Sequence, residues 1–420
     1  MLLFLLLACD PEPHAEAKVC VAPPAPQPAD LDADGWPDLV FAQTEDTQGS
    51  YVAESLVYWG AAEGFSAERR TALPTVGADD VAIADFAGDG YPDLVFASVG
   101  DGERRDVDSL LYPNGPDGFD VAGVRGLPGL DAAAVNVLDA DGDGRLDVFL
   151  ANRYSGDGFS LESYTVDSVL YPGADPWPDA AAGRYVQTVG AGDARFADLD
   201  GDGVLDLVVA SGTFLTDTSR VYWGGAEGWD AARVTELPTA APEGVEVADW
   251  NSDGWLDLFF SNFYEDFVLD IDSFLYWGGP AGYDAGRVTA IPTHGATDAL
   301  AVDLDGDTCA ELVVANAMTG DFAELDFTVD LDLWAGDPEG SLTLAGSLPA
   351  SSAAALSAAD LDLDGDVDLV VANRYDAEGA PVTDSFVYWN QGGALAEAFS
   401  ADAVSALPTV GAAGVSARLE

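Results

Sequence analysis

Asp198-Leu-Asp200-Gly-Asp202-Gly203-Val204-Leu-Asp206, running straight into Leu207-Val-Val-Ala210, is the stretch whose meaning decides the fold. Its acids stand at positions 1, 3, 5 and 9, with glycine at position 6. The same pattern begins at Asp30, Asp85, Asp139, Asp249, Asp303 and Asp360, and the seven first positions are spaced by 55, 54, 59, 51, 54 and 57 residues in chain order. So regular a period is the signature of a repeat architecture.

Carboxylates at positions 1, 3 and 5 of a tight loop can converge on one hard cation, and glycine at position 6 permits the sharp turn. Calcium suits such an all-oxygen set, because it accepts about 6–8 oxygen ligands in flexible geometry whereas magnesium demands a stricter octahedron. No Cys/His cluster favours zinc or copper. An EF-hand would place its last acid at position 12 and enter a helix. Here the last acid sits at position 9 and is followed by Leu-Val-Phe-Ala, Val-Phe-Leu-Ala or Leu-Phe-Phe-Ser, runs that predict buried strands.

The copies differ in quality. Loops one (Asp30, Asp32, Asp34, Asp38), three (Asp139, Asp141, Asp143, Asp147), four (Asp198, Asp200, Asp202, Asp206) and seven (Asp360, Asp362, Asp364, Asp368) are complete. Loop five (Asp249, Asn251, Asp253, Asp257) replaces one acid by an amide that can still ligate. Loop two (Asp85, Asp89, Asp93) has Ala87 at position 3 and is expected to bind most weakly. Loop six keeps Asp303, Asp305 and Asp307 but carries Thr308 for glycine and Glu311 for the last aspartate.

Each unit reads as four short strands. In the fifth, Gly244–Ala248 leads into the acidic loop, Leu258–Ser261 follows it, Phe274–Trp277 comes after a long loop, and a strand around Arg287–Pro292 ends the unit. Seven such units predict an all-β fold, a seven-bladed propeller of four-stranded antiparallel blades. The aromatic pairs Tyr58-Trp59, Tyr222-Trp223, Tyr276-Trp277 and Tyr388-Trp389 are expected to pack between blades. Before loop one stands only a Pro-rich stretch, which makes a poor strand. The C-terminal Leu407-Pro-Thr-Val-Gly-Ala-Ala-Gly-Val-Ser-Ala-Arg-Leu-Glu420 echoes Leu73–Asp85 and stops where an eighth loop would begin. Residues 414–419 are therefore expected to complete blade one and close the ring, which removes open sheet edges.

A formal charge of −60 excludes nucleic acid and anionic membrane surfaces as natural partners, and seven bound divalent ions would still leave roughly −46. The start, Met-Leu-Leu-Phe-Leu-Leu-Leu-Ala-Cys9, resembles a bacterial lipoprotein signal with lipidation at Cys9, although no Lys or Arg precedes the apolar run. The expected division is a signal at 1–9, a stiff Pro-rich spacer at 10–28 and the propeller at 29–420. Such a chain would be exported and anchored at a bacterial cell surface or in the periplasm, or alternatively secreted. Cys20 and Cys309 could pair in an oxidising compartment, a point the sequence leaves open.

The phased loops and their strands resemble the FG-GAP or VCBS-type repeat family, the propellers similar to integrin alpha-subunits, over residues 29–420. The Phe-Gly and Gly-Ala-Pro signature is kept only as echoes at Gly64-Phe65 and Gly118-Phe119. The resemblance implies up to seven calcium ions, ligated by positions 1, 3, 5 and 9 and by the position-7 carbonyls of Trp36, Tyr91, Arg145, Val204, Trp255, Cys309 and Asp366. It also implies that these loops join the first and second strands of each blade on one face. Recognition of a surface protein or glycan then falls to the long loops opposite, at residues 152–168, 262–273 and 316–332, in a monomeric, noncatalytic adhesion module. A lectin is the alternative, with Tyr154, Asn262, Phe263, Tyr264, Asn373 and Tyr375 as sugar contacts. A calcium-dependent polysaccharide-degrading enzyme is a third reading, disfavoured because Lys18 and His294 are the chief candidates for a base and neither sits in a recognisable motif.

Overall fold

The computed structural model describes residues 19–156, 160–213, 218–225 and 228–420, without the side chains at 401 and 402. Cys9 and the signal-like segment lie outside the described residues. The apolar run behind each acidic loop forms a strand with every residue buried, as in Asp93–Ser98, Asp206–Ser211 and Asp368–Asn373. Strands buried on both faces read as continuous hydrophobic runs, and here both faces are covered by neighbouring blades. Outer strands such as Val288–His294 instead alternate buried and exposed positions, because only one face meets a neighbour.

Seven four-stranded antiparallel sheets result, as expected. In blade five the order is Pro242–Ala248, Asp257–Asn262, Asp270–Tyr276 and Val288–His294, with the acidic loop between the first two strands. Blade one is completed from the other end of the chain: Ala412–Ser416 pairs with Leu39–Gln43, setting Phe41 opposite Val415. Pro28 bridges Arg418, and Ala29 N donates to Ala417 O at 3.0 Å, so the two ends are zipped together. Blade six carries an additional hairpin, Thr319–Asp321 with Glu324–Asp326.

The core lies between blades. One cluster joins Leu199, Val208 and Leu237 of blade four to Val245, Leu258, Phe260 and Tyr276 of blade five. In every blade but the sixth, a tyrosine near the end of the third strand crosses the equivalent seam. Tyr58 donates to Pro408 O at 2.6 Å and Tyr222 to Gln187 O at 3.0 Å, while Tyr112, Tyr171, Tyr276 and Tyr388 donate to the carbonyls of Pro74, Pro128, Pro238 and Pro349. The paired tryptophans bond within their own blades, Trp59, Trp223 and Trp277 reaching Thr71, Thr235 and Thr289 at 3.0 Å, and pack against rings of the neighbouring blade, Trp59 on Phe119, Trp223 on Tyr283 and Trp389 on Phe65. These aromatics therefore pack the ring, as expected.

Cys20 and Cys309 form a disulfide with Cα atoms 4.8 Å apart, tethering the segment before blade one to loop six. Truncation before residue 412 strips blade one of its inner strand and leaves one edge of Leu39–Gln43 unpaired. We expect the truncated chain to lose cooperative unfolding and melt well below the full chain in calorimetry. An unchanged melting curve would contradict the closure.

Candidate metal loops and an axial pocket

Six of the seven loops share one hydrogen-bonded frame, and loop six alters one bond of it, Asp303 accepting from Gly306 N in place of Asp307 N. In loop four, Asp198 accepts from Asp202 N (3.0 Å) and Gly203 N (2.9 Å), and Asp202 accepts from Val204 N (2.9 Å). Positions 4 and 6 are both left-handed, at φ 75° for Gly201 and 85° for Gly203. Position 4 keeps that conformation even as Ala33 (58°), Ser252 (52°) and Leu363 (62°), and Thr308 adopts 76° at position 6 of loop six. Side chains disfavour this region, so strain is held at these positions by the surrounding bonds.

Position 9 differs from the other acids. Asp206 is buried, and its carboxylate accepts from Leu199 N (3.0 Å) at the loop start and from Gly224 N (2.7 Å) beyond the third strand. Asp38, Asp93, Asp147, Asp257 and Asp368 repeat this double bond with Leu31 and Gly60, Phe86 and Asn114, Ala140 and Gly173, Trp250 and Gly278, and Leu361 and Asn390. Glu311 keeps the first of the two, from Leu304 N at 2.7 Å. The last acid of the motif thus belongs to the core as much as to the loop.

Positions 1, 3 and 9 converge. Asp30, Asp32 and Asp38 can bring carboxylate oxygens within 4.8 Å of one another, as can Asp139, Asp141 and Asp147; Asp198, Asp200 and Asp206; Asp303, Asp305 and Glu311; and Asp360, Asp362 and Asp368. Five clusters could therefore hold a metal ion. Loops two and five, with Ala87 and Asn251 at position 3, form no such group of three acids among the described residues. Position 5 plays a different part from the other acids. Asp34, Asp89, Asp143, Asp202, Asp253, Asp307 and Asp364 each accept the N–H of Trp36, Tyr91, Arg145, Val204, Trp255, Cys309 and Asp366, at 2.7–3.0 Å. This fixes the backbone of the position-7 residues.

Burial pushes Asp38, Asp93, Asp257 and Asp368 up to about 7 and Glu311 up to about 8, against the lowering effect of their backbone N–H donors. Folded pKa values above unfolded ones mean stability fully present below about pH 4 and lost as pH rises through about 7 to 8. In chelator, denaturant unfolding should therefore give a free energy that falls from pH 4 to pH 8; a rise over that range would contradict the assignment. Still in chelator, Asp206→Ala should cost about 2–4 kcal/mol, because two buried backbone donors lose a charged acceptor. Exposed Asp200→Ala should cost under about 0.5 kcal/mol.

On the opposite face the seven inner strands begin around the ring axis and enclose a cavity of about 370 Å³. Its wall carries Asp79, Asp80, Asp193, Glu243 and Asp298 together with Arg153, Arg195 and Arg374. Arg153 pairs with Asp131 (3.2 Å) and Glu243 (3.5 Å), and Arg195 with Asp193 (2.7 Å) and Glu246 (3.5 Å). Several of these acids also hold the next blade. Asp80 accepts from Val135 N, Asp193 from Val245 N and Asp298 from Leu356 N, at 2.8–3.1 Å. Burial raises Asp80 to about 7 and Asp298 to about 6.

Sequence reasoning missed this constellation, though a signal was present. Asp80, Asp193 and Asp298 stand five residues before the first positions Asp85, Asp198 and Asp303, in alternate blades.

Of the proposed sugar contacts, Phe263 and Tyr375 line the pocket. Asn262 and Asn373 do not qualify. Both are fully buried, accepting from Ala240 N and Ser351 N and donating to Asp272 O and Asp384 O, so they lock the blade rather than face a ligand. His294 ends a strand and meets Asp270 at 2.7 Å.

The FG-GAP-like repeat model matches residues 30–96, 139–209 and 198–260. No curated protein matches the sequence. Among solved structures, a candidate 6-phosphogluconolactonase of Bacteroides fragilis NCTC 9343 aligns with TM-score 0.55 at 13% identity, over 92% of this chain and 99% of that one. A second, from Bacteroides uniformis ATCC 8492, gives 0.54 at 14%, over 90% and 98%. BBS1N, crystallised in complex with ARL6DN, gives 0.50 at 12%, over 85% and 91%. Identities this low speak to the fold alone, and the fold is evidently shared by proteins of different kinds.

Proposed function

For a propeller of FG-GAP-like repeats built in this way, we propose a calcium-binding, noncatalytic cell-surface module that recognises a protein or glycan on the face opposite the acidic loops. The observation that carries the proposal is the division of labour between faces. One face repeats the same acid triad, whereas the other gathers unlike residues around a cavity. Repetition suits a structural role, and variation on a rigid frame suits recognition.

The donor set fits calcium: carboxylates from positions 1, 3 and 9 converge without a nitrogen or sulfur ligand. A dication there would offset the repulsion among acids on the same loop and the cost of keeping position 9 ionised. Calcium-rich surroundings outside the cell match the proposed export and lipid anchor at Cys9, with residues 10–28 as spacer. Phosphogluconolactonase-like chemistry is not carried over, because the likeness to those proteins is one of fold.

Excess chelator should lower the melting temperature markedly, and calcium should restore it. Extracellular modules bind calcium at roughly 10⁻⁴–10⁻³ M, and each site at ten-fold saturation adds about 1.4 kcal/mol. Titration should fill loop two last. A melting temperature indifferent to chelator, with no metal in elemental analysis, would overturn the calcium reading. Recognition is checked separately with labelled full chain on bacterial cells: Tyr264→Ala should weaken binding and Glu68→Ala, exposed on the loop face, should not.

A further inference from the structure

We propose that the axial pocket is a binding site for a neutral pyranose, a single hexose unit or the end of a short glycan. This rests on the recognition reading above and names both its place and its ligand. The inference starts from what the pocket's polar groups still lack. Arg374 lines the wall with its side chain 30% exposed although its Nε is buried, and its one ion pair among the described residues, to Asp79 Oδ1, is stretched to 4.0 Å. Its guanidinium lies 5.6 Å from the centroid of the Tyr375 ring, which fixes its plane. A planar donor set held in this way is prepared for oxygen acceptors.

The acceptors on the wall are of two kinds. Asp80, Asp193 and Asp298 are occupied by backbone N–H groups of the next blade. Asp79 and Glu243 have side chains 15% and 28% exposed, and among the described residues their partners are the Thr44 hydroxyl, Arg374 and Arg153. They can accept from hydroxyl donors. Phe263 and Tyr375 add aromatic surface on the wall. Donors, acceptors and an apolar face within one cavity are what a pyranose presents in complement, with hydroxyls at its edge and C–H groups on its flat side.

Charge narrows the class. Five carboxylates line the wall against three arginines, in a chain of net charge −60, so phosphorylated and uronic sugars are repelled. A simple cation would meet Arg374 at the same wall. A neutral polyol satisfies both signs without adding charge. At about 370 Å³ the cavity falls within the range of small-molecule sites, roughly 300–1,000 Å³, at the end suited to one or two rings.

The test is isothermal titration of the full chain in calcium with glucose, galactose, mannose, N-acetylglucosamine, cellobiose and glucuronic acid. At least one neutral sugar should bind with one-to-one stoichiometry, and glucuronic acid at least ten-fold more weakly. Arg374→Met and Phe263→Ala should each weaken binding at least ten-fold, while the calcium-dependent melting transition confirms that both variants fold. Glu68→Ala, exposed on the far face, should leave binding unchanged. No binding by any of these sugars at millimolar concentration would overturn the proposal. So would equal binding by wild type and both pocket variants, or preference for the uronic acid. Cell binding that persists without sugar binding removes the axial ligand and keeps the recognition reading; loss of both removes both.

Discussion

Everything in this ring depends on a buried carboxylate that accepts two backbone hydrogen bonds from different parts of its blade. Asp206 ties the start of its own loop, through Leu199 N, to the chain leaving the third strand, through Gly224 N. The strand that bears it has every residue buried, so any shift of the loop would strand two donors and an anion away from water. Desolvation makes that anion costly, which is why burial pushes the equivalent Asp38, Asp93, Asp257 and Asp368 up to about 7. The other acids of the loop raise it further. A blade is thus held by a group that would be more comfortable with positive charge beside it, and the triad of positions 1, 3 and 9 is where such charge fits.

Loop six shows what happens when the pattern is altered. Glu311 is longer by one methylene and keeps only the bond from Leu304 N, while Thr308 stands left-handed where glycine would be relaxed. The same loop is pinned from outside. Cys309 carries the disulfide to Cys20, Thr308 donates to Cys20 O at 3.3 Å, and Asp305 accepts from Leu395 N at 3.2 Å. Covalent tethering stands where the weakest loop frame does, and it also anchors the segment that leads into the closing seam at Pro28 and Arg418.

The architecture was legible because period and burial are properties of single residues in order. A repeat near 55 residues, an apolar run after each loop and a C-terminal copy of Leu73–Asp85 sufficed for the blades and their closure. Pairwise chemistry was less visible. Both rings of a Tyr-Trp pair meet the neighbouring blade, but Tyr112 and Tyr171, each followed by proline, cross the seam alone, so the dipeptide pattern does not reveal them. Position 9 reads in sequence as one more ligand, and its partners 18 to 26 residues away make it a core residue as well. Asn262 and Asn373 looked like surface amides at strand ends, but their partners lie across the blade.

The axis was the hardest to foresee, since no local stretch contains it. Its residues come from all seven blades, one to three from each inner strand and others from just beyond the second strands, and only closure makes them neighbours. Scarcity then gives the placement weight. The chain has 15 basic residues, and Arg153, Arg195 and Arg374 all reach this one cavity. Two of the three are accounted for by short ion pairs: despite burial, which lowers them, Asp131 and Glu243 hold Arg153 above its usual pKa, and Asp193 and Glu246 do so for Arg195. Those pairs neutralise acids that staple adjacent blades and so belong to the ring. Arg374 is drawn to Asp79 as well, but at 4.0 Å and with 30% of its side chain exposed on the cavity wall, so it is the least committed of the three to blade assembly.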